Sequence, residues 1–133
     1  MRRAALVLLL LLTACVSRLP DQDLRIQSAQ VDAKLSADLL WKAFTDNAAD
    51  AQRTYFGKVV EVTGTATEVG KDVAGERFIR FGQGDNKAGI RANLLDDTAG
   101  PVLSAIPENR RMTLRCFCEG LAGDVILKSC IKP

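Results

Sequence analysis

The 133-residue chain contains no histidine. That absence removes every mechanism that needs an imidazole base, a proton shuttle near neutral pH or a histidine-ligated metal. Aromatic residues make up only 5%, with one tryptophan and one tyrosine. No internal repeat, low-complexity tract or long run of like charge is present, and no apolar run approaches the roughly 20 residues that cross a bilayer as a helix. The length allows one ordinary domain and leaves no room for a second core.

What is present begins with an address. Arg2 and Arg3 precede the apolar run Ala4 to Leu12, which ends in Thr13, Ala14 and Cys15. Charge, apolar run and small residues in that order read as a signal peptide over 1–14. The segment Leu12-Thr13-Ala14-Cys15 resembles a bacterial lipobox, so Cys15 is the expected lipidation site and the first residue of the mature chain. Multiple acyl chains make attachment stable where one would be marginal, giving a protein anchored to a membrane without spanning it. Val16 and Ser17 after the cysteine, by resemblance to sorted lipoproteins, point to the periplasmic face of an outer membrane. Cleavage also discards Arg2 and Arg3, leaving sixteen basic against sixteen acidic residues. The mature net charge is zero, which disfavours nucleic-acid binding through a broadly cationic surface.

Residues 15–35, with Pro20 and little sustained periodicity, read as the lipidated N-terminus and a tether. Fully extended, Val16 to Leu35 would reach about 65 to 70 Å and hold a domain clear of the headgroups. The domain is expected over 36–133. Ser36 is a candidate N-cap with Asp38 in the first turn, and an apolar stripe through Leu40, Ala43, Phe44, Asn47 or Ala48, Ala51 and Tyr55 predicts one helix from Ala37 to Tyr55, stopped by Gly57. Trp41, beside the stripe, is expected to pack against the next unit.

From Val59 the period becomes two. Val60, Val62, Gly64 and Ala66 alternate with Glu61, Thr63 and Thr65, and further runs follow at Glu76 to Phe81, Gly89 to Leu94, Arg111 to Cys118 and Val125 to Ile131. Gly70 to Gly75 and Gly82 to Gly89 suit hairpins, and Thr98 to Ile106 suits a short helix closed by Pro107. The chain order strand, strand, strand, helix, strand, strand predicts a mainly β domain with an N-terminal helix, the five-stranded barrel of the OB-fold.

Chemical candidates are few. Cys116, Cys118 and Cys130 remain after lipidation, giving one disulfide and one free thiol with three possible pairings. Cys116 shares a strand face with Met112 and Leu114, and its expected role is a buried, inert thiol. Neither a redox pair nor a zinc site fits, since no helix starts at Cys116-Phe117-Cys118 and too few ligands are available. Asp96-Asp97 suits a solvated turn before the short helix. Neither catalytic residues nor a cofactor are expected, and the glycines at 82, 84 and 89 match no phosphate-binding fingerprint. The outward positions of the second and third strands, Phe78, Arg80, Arg91 and Asn93, form a small mixed patch able to stack on and hydrogen-bond an anionic or sugar-like ligand. An ordinary solvated sheet face, covered by the 37–55 helix, is the competing expectation.

The helix with Asp46-Asn47, the run Tyr55-Phe56-Gly57-Lys58-Val59-Val60-Glu61-Val62-Thr63-Gly64, and Cys118-Glu119-Gly120 followed by Asp124 to Cys130 together resemble the bacterial OB-fold proteins termed tRNA-anti-like. Many of these are lipoproteins or secreted proteins of undetermined role. The resemblance covers about residues 36–133 and implies the barrel, not tRNA binding, because the term reflects fold similarity. It also implies a disulfide between Cys118 and Cys130, although similar proteins tend to have another residue at the position of Cys116. The resulting expectation is a non-enzymatic, membrane-anchored envelope module that meets an envelope protein or a small polar ligand. A structural spacer or stress factor, and an OB-fold nucleic-acid binder, are the alternatives.

Overall fold

The computed structural model describes residues 22–83, 86–95 and 109–133. The Ser36 hydroxyl accepts the Leu39 N–H at 3.1 Å and opens α1 (Ala37–Asp46), with Asp38 in its first turn. Ala37, Leu40 and Phe44 fall on one face and are buried. The expected single helix is interrupted at Asn47, whose extended backbone (φ −153°, ψ 91°) ends α1 and starts α2 (Ala48–Tyr55). The asparagine side chain supplies the reason: its Oδ1 accepts the Asp50 N–H at 3.1 Å, offering the backbone a partner that competes with the helical ladder. The break lets Tyr55 lie beside Phe44, ring centroids 6.3 Å apart. Gly57, at φ +73°, then turns the chain and donates its N–H to the Cys118 carbonyl.

β2 (Val59–Lys71) buries Val60, Val62 and Ala66 as their alternation predicts, with Gly64 on the same side. Its first half pairs antiparallel with β5 (Arg110–Ala122), its second half with β3 (Arg77–Gln83). A register shift between Ala66 and Glu68 separates the halves. Such a bulge bends and twists the strand, so β2 can serve both sides of a closed sheet. β4 (Asn86–Leu94) follows β3, and β6 (Asp124–Ile131) lies between β4 and β5, which completes a five-stranded barrel of the OB type. β1 (Ala33–Ser36) adds parallel to the start of β2, on the stretch that β3 does not reach. The expected helix at Thr98 to Ile106, and Asp96-Asp97 before it, lie outside the described residues.

One core fills the barrel: Val60, Val62, Ile79, Phe81, Ile90, Leu94, Leu114 and Leu127 meet Leu40 and Phe44 of α1, with Trp41 and Tyr55 at the margin. Trp41 thus packs as expected. The helices join the interior cluster instead of covering the outer side of β3 and β4. Gly64 makes the approach possible, because a Cβ there would lie 2.8 Å from the Ala37 Cβ and 3.0 Å from the Phe81 ring.

Two further expectations are corrected. The disulfide joins Cys116 to Cys130, with Cα atoms 4.3 Å apart, and leaves Cys118 as the buried free thiol. The Cys118–Cys130 pairing fails for a reason of register. Leu127 stands across from Cys118, and a shift between Arg115 and Phe117 brings Cys130 to the level of Cys116 instead. That shift is accommodated by Ser129, fully buried at φ +54°.

The second correction concerns the tether. From residue 22 the stretch assigned to it is folded onto the barrel. Ile26, within a single 3-10 turn (Leu24–Gln27), is fully buried against Val59, Leu95 and Ile131 in a second apolar cluster with Phe117. The Asp23 N–H donates to the Ser129 hydroxyl at 2.7 Å, and Gln22 Nε2 donates to the Leu94 carbonyl. Asp32 bonds twice to Val59, through its N–H and through its carboxylate, and leads into β1. Burying Ile26 contributes about 1.5 to 3 kcal/mol, which offsets part of the entropy of ordering the strap. Ile26 and Val31 carried the sequence signal, but two apolar residues without periodicity do not announce a partner. Residues 1–21, with Cys15, lie outside the described residues.

Candidate functional site

The outer face of β2, β3 and β4 gathers the four residues singled out by alternation. Cross-strand register sets Phe78 beside Asn93 and Arg80 beside Arg91. On the other side of β3, the β2 bulge turns Glu68 and Gly70 outward, opposite Arg80 and Phe78. Gly70 matters here because it has no side chain. A Cβ at that position would come within 3.0 Å of the Phe78 ring, so the ring lies down over β2.

Phe78 is therefore only 8% exposed, where an outward-facing aromatic was expected. The Arg91 guanidinium covers the ring, 4.3 Å from its centroid, a cation–π contact. Arg91 is fixed further by Nε to Asn93 Oδ1 at 2.9 Å and by Nη2 to Asp72 Oδ2 at 3.1 Å. Arg80 makes its own ion pairs, Nη1 with Asp124 Oδ2 at 2.8 Å and Nε with Glu68 Oε2 at 3.3 Å. The second oxygen of Asp124 accepts the Gly89 N–H at 2.9 Å.

Two arginines standing side by side would repel one another, and three carboxylates compensate them. The two nearest come from opposite hairpins. Asp72 follows β2 and is organised as a turn, accepting the N–H groups of Ala74 and Glu76. Asp124 opens β6 after Gly123, whose φ is +75°. The face therefore offers a planar, hydrogen-bonding and nearly neutral surface, with an aromatic ring beneath a guanidinium. Sequence reasoning missed Glu68, Asp72 and Asp124 because their link to the arginines spans up to 44 residues. Their only sequence signal was a place beside a turn.

Cys118 offers no accessible nucleophile. Burial is the main cause that pushes its thiol up to about 11, with a smaller opposing bond to the Gly120 backbone. A thiol so far from ionisation is a packing group near neutral pH. Among the described residues, no cluster of three or more cysteine, aspartate and glutamate side chains could hold a metal ion.

A solved structure shares this architecture. It is a Klebsiella pneumoniae protein named as a candidate nucleic acid-binding lipoprotein, 20% identical, with a TM-score of 0.58 over 80% of this chain and 92% of that one. At that identity the likeness speaks for the fold. No curated protein matches the chain. The tRNA-anti-like family model matches residues 3–131. With the barrel, the helix pair packed against its core and a match along nearly the whole chain, the protein belongs to the tRNA-anti-like family.

Proposed function

We propose that the protein is an envelope lipoprotein, anchored through Cys15 at the periplasmic face of the outer membrane, whose barrel is a non-enzymatic binding module. Its partner is an envelope protein or a small polar ligand that meets the face of Phe78, Arg80, Arg91 and Asn93. The observation carrying this reading is the pairing of both arginines with carboxylates, Arg91 with Asp72 and Arg80 with Asp124 and Glu68. A face so compensated suits directional hydrogen bonding better than capture of a polyanion, which draws on uncompensated charge and exposed stacking platforms. The lipobox-like Leu12 to Cys15 supports the anchor, as does the description of the Klebsiella protein as a lipoprotein.

Two experiments test it. Cys15→Ser should release the protein from the membrane fraction; full retention overturns the anchor. A photo-crosslinker at the exposed Thr65 of β2, near this face, should recover a defined partner from intact cells, whereas a diffuse background would favour a structural spacer.

A second reading follows from the Klebsiella protein's description as a candidate nucleic-acid binder. It requires a salt-sensitive shift of a labelled single-stranded oligonucleotide, lost in Arg80→Ala with Arg91→Ala. No retardation at low salt removes it.

A further inference from the structure

The strap over residues 22–36 changes what a lipid at Cys15 would do. Resting on the reading of Cys15 as the lipidated residue, we propose that the barrel is held against the bilayer surface, with its Gln22 to Gln27 side towards the phospholipid headgroups and Leu24 at the contact.

The argument is one of reach. Asp23 is tied to Ser129, Gln22 to Leu94, and Ile26 is buried, so the chain has no slack from residue 22 onward. Seven residue steps separate Cys15 from Gln22. Whatever their conformation, they reach at most about 25 Å. A folded body of about 110 residues has a radius of gyration near 13 Å and is roughly 35 Å across. The leash is thus shorter than the body it holds, and the side remote from Gln22 cannot be turned to the membrane. This replaces the standoff of 65 to 70 Å that a tether running to Leu35 would allow.

The surface at the point of attachment suits an interface. Leu24, two residues beyond Gln22, is 58% exposed, and Arg25 next to it is exposed, held by Asp23 and set over the Phe117 ring. One exposed leucine is unremarkable on a free protein. Within this short leash it lies at headgroup depth, where an apolar side chain flanked by a cation is favoured. One end of the candidate binding face lies near this side, since Asn93 immediately precedes Leu94, whose carbonyl receives Gln22, while its Asp124 end lies beside Ala122 at the other end of β6.

The test uses full-length acylated protein in phosphatidylethanolamine and phosphatidylglycerol vesicles carrying a headgroup-attached spin-label quencher. A thiol-reactive fluorophore is placed at Leu24→Cys or at Ala122→Cys. Ala122 is exposed in the β5–β6 hairpin, at the opposite end of β6 from the Ser129 anchor, about 17 Å along the strand. Quenching at position 24 should exceed that at 122 at least twofold. A twenty-residue Gly/Ser insertion between Arg18 and Leu19 should erase the difference while the protein stays in the vesicles. Equal quenching at both positions in acylated protein of native length overturns the close approach alone. Absence of acyl chains by mass spectrometry overturns the anchor, and the close approach with it.

Discussion

Arg91 lies on the ring of Phe78, its guanidinium carbon 4.3 Å from the ring centroid, and Asp72 holds it there from the β2–β3 hairpin. The aromatic expected to be a stacking platform is thus the floor of the site, and the arginine is its upper surface. Asp72→Asn removes the charge that steadies Arg91. We expect weaker partner crosslinking from the β2–β4 face by several-fold and a loss of no more than about 1 kcal/mol in urea unfolding, as partly exposed ion pairs contribute little. A stability loss several times larger would show that the pair holds the fold and does not merely set the surface.

Gly64 is where α1 enters the barrel. Gly64→Ala would force a methyl group against Ala37 and Phe81. Overpacking of this kind costs about 1 to 3 kcal/mol, which should appear as a lower urea midpoint with an unchanged slope. An unchanged midpoint would mean that α1 can shift outward at little cost.

Ile26→Ala should cost about 2 to 5 kcal/mol, the range for large-to-small changes in a core, and should expose the strap to protease between Leu24 and Val31. Ser129→Ala, which removes the acceptor for the Asp23 N–H, should give the same cleavage at a cost of about 1 to 3 kcal/mol. Protection equal to wild type in both variants would show that the strap is held by β1 alone.

The disulfide and the free thiol predict a pattern of reactivity. Under native conditions at pH 8 Cys118 should resist alkylation, and denaturation without reductant should expose one reactive thiol at Cys118, with none at Cys116 or Cys130. Removing the bridge, which separates residues 14 apart, with Cys130→Ser should cost about 3 kcal/mol. Labelling of Cys116 in place of Cys118 would contradict the pairing.

Cys118 also makes stability depend on alkaline pH. Its folded value, about 11, lies above the ordinary 9.0 because burial disfavours the thiolate. The unfolded chain therefore loses this proton first. The contribution is fully present below pH 9, falls as pH rises from 9 to 11 and is lost above that. Cys118→Ala should flatten this part of the pH dependence, and identical alkaline slopes for variant and wild type would refute it.

The strands of the barrel were legible because alternation is a local property: Val60, Val62, Gly64 and Ala66 must share a side whatever they face. Helix initiation at Ser36 was legible for the same reason, since a cap involves neighbours three residues apart. The helix break was not, because a stripe through Ala48 and Ala51 continues whether or not the Asn47 side chain takes an N–H group for itself. The patch of Phe78, Arg80, Arg91 and Asn93 followed from alternation and strand order, while its near-neutral, covered character came from Glu68, Asp72 and Asp124, which reach it across a bulge and from two hairpins.

By itself the chain's order of residues determined a lipobox-like start, a mainly β domain and which side chains point into it. Only the tertiary structure decided that Cys116 and not Cys118 meets Cys130, and that the stretch after residue 22 is a strap and not a tether. Both outcomes depend on register between distant strands, where one bulge moves every later partner by a position and no local pattern records the shift.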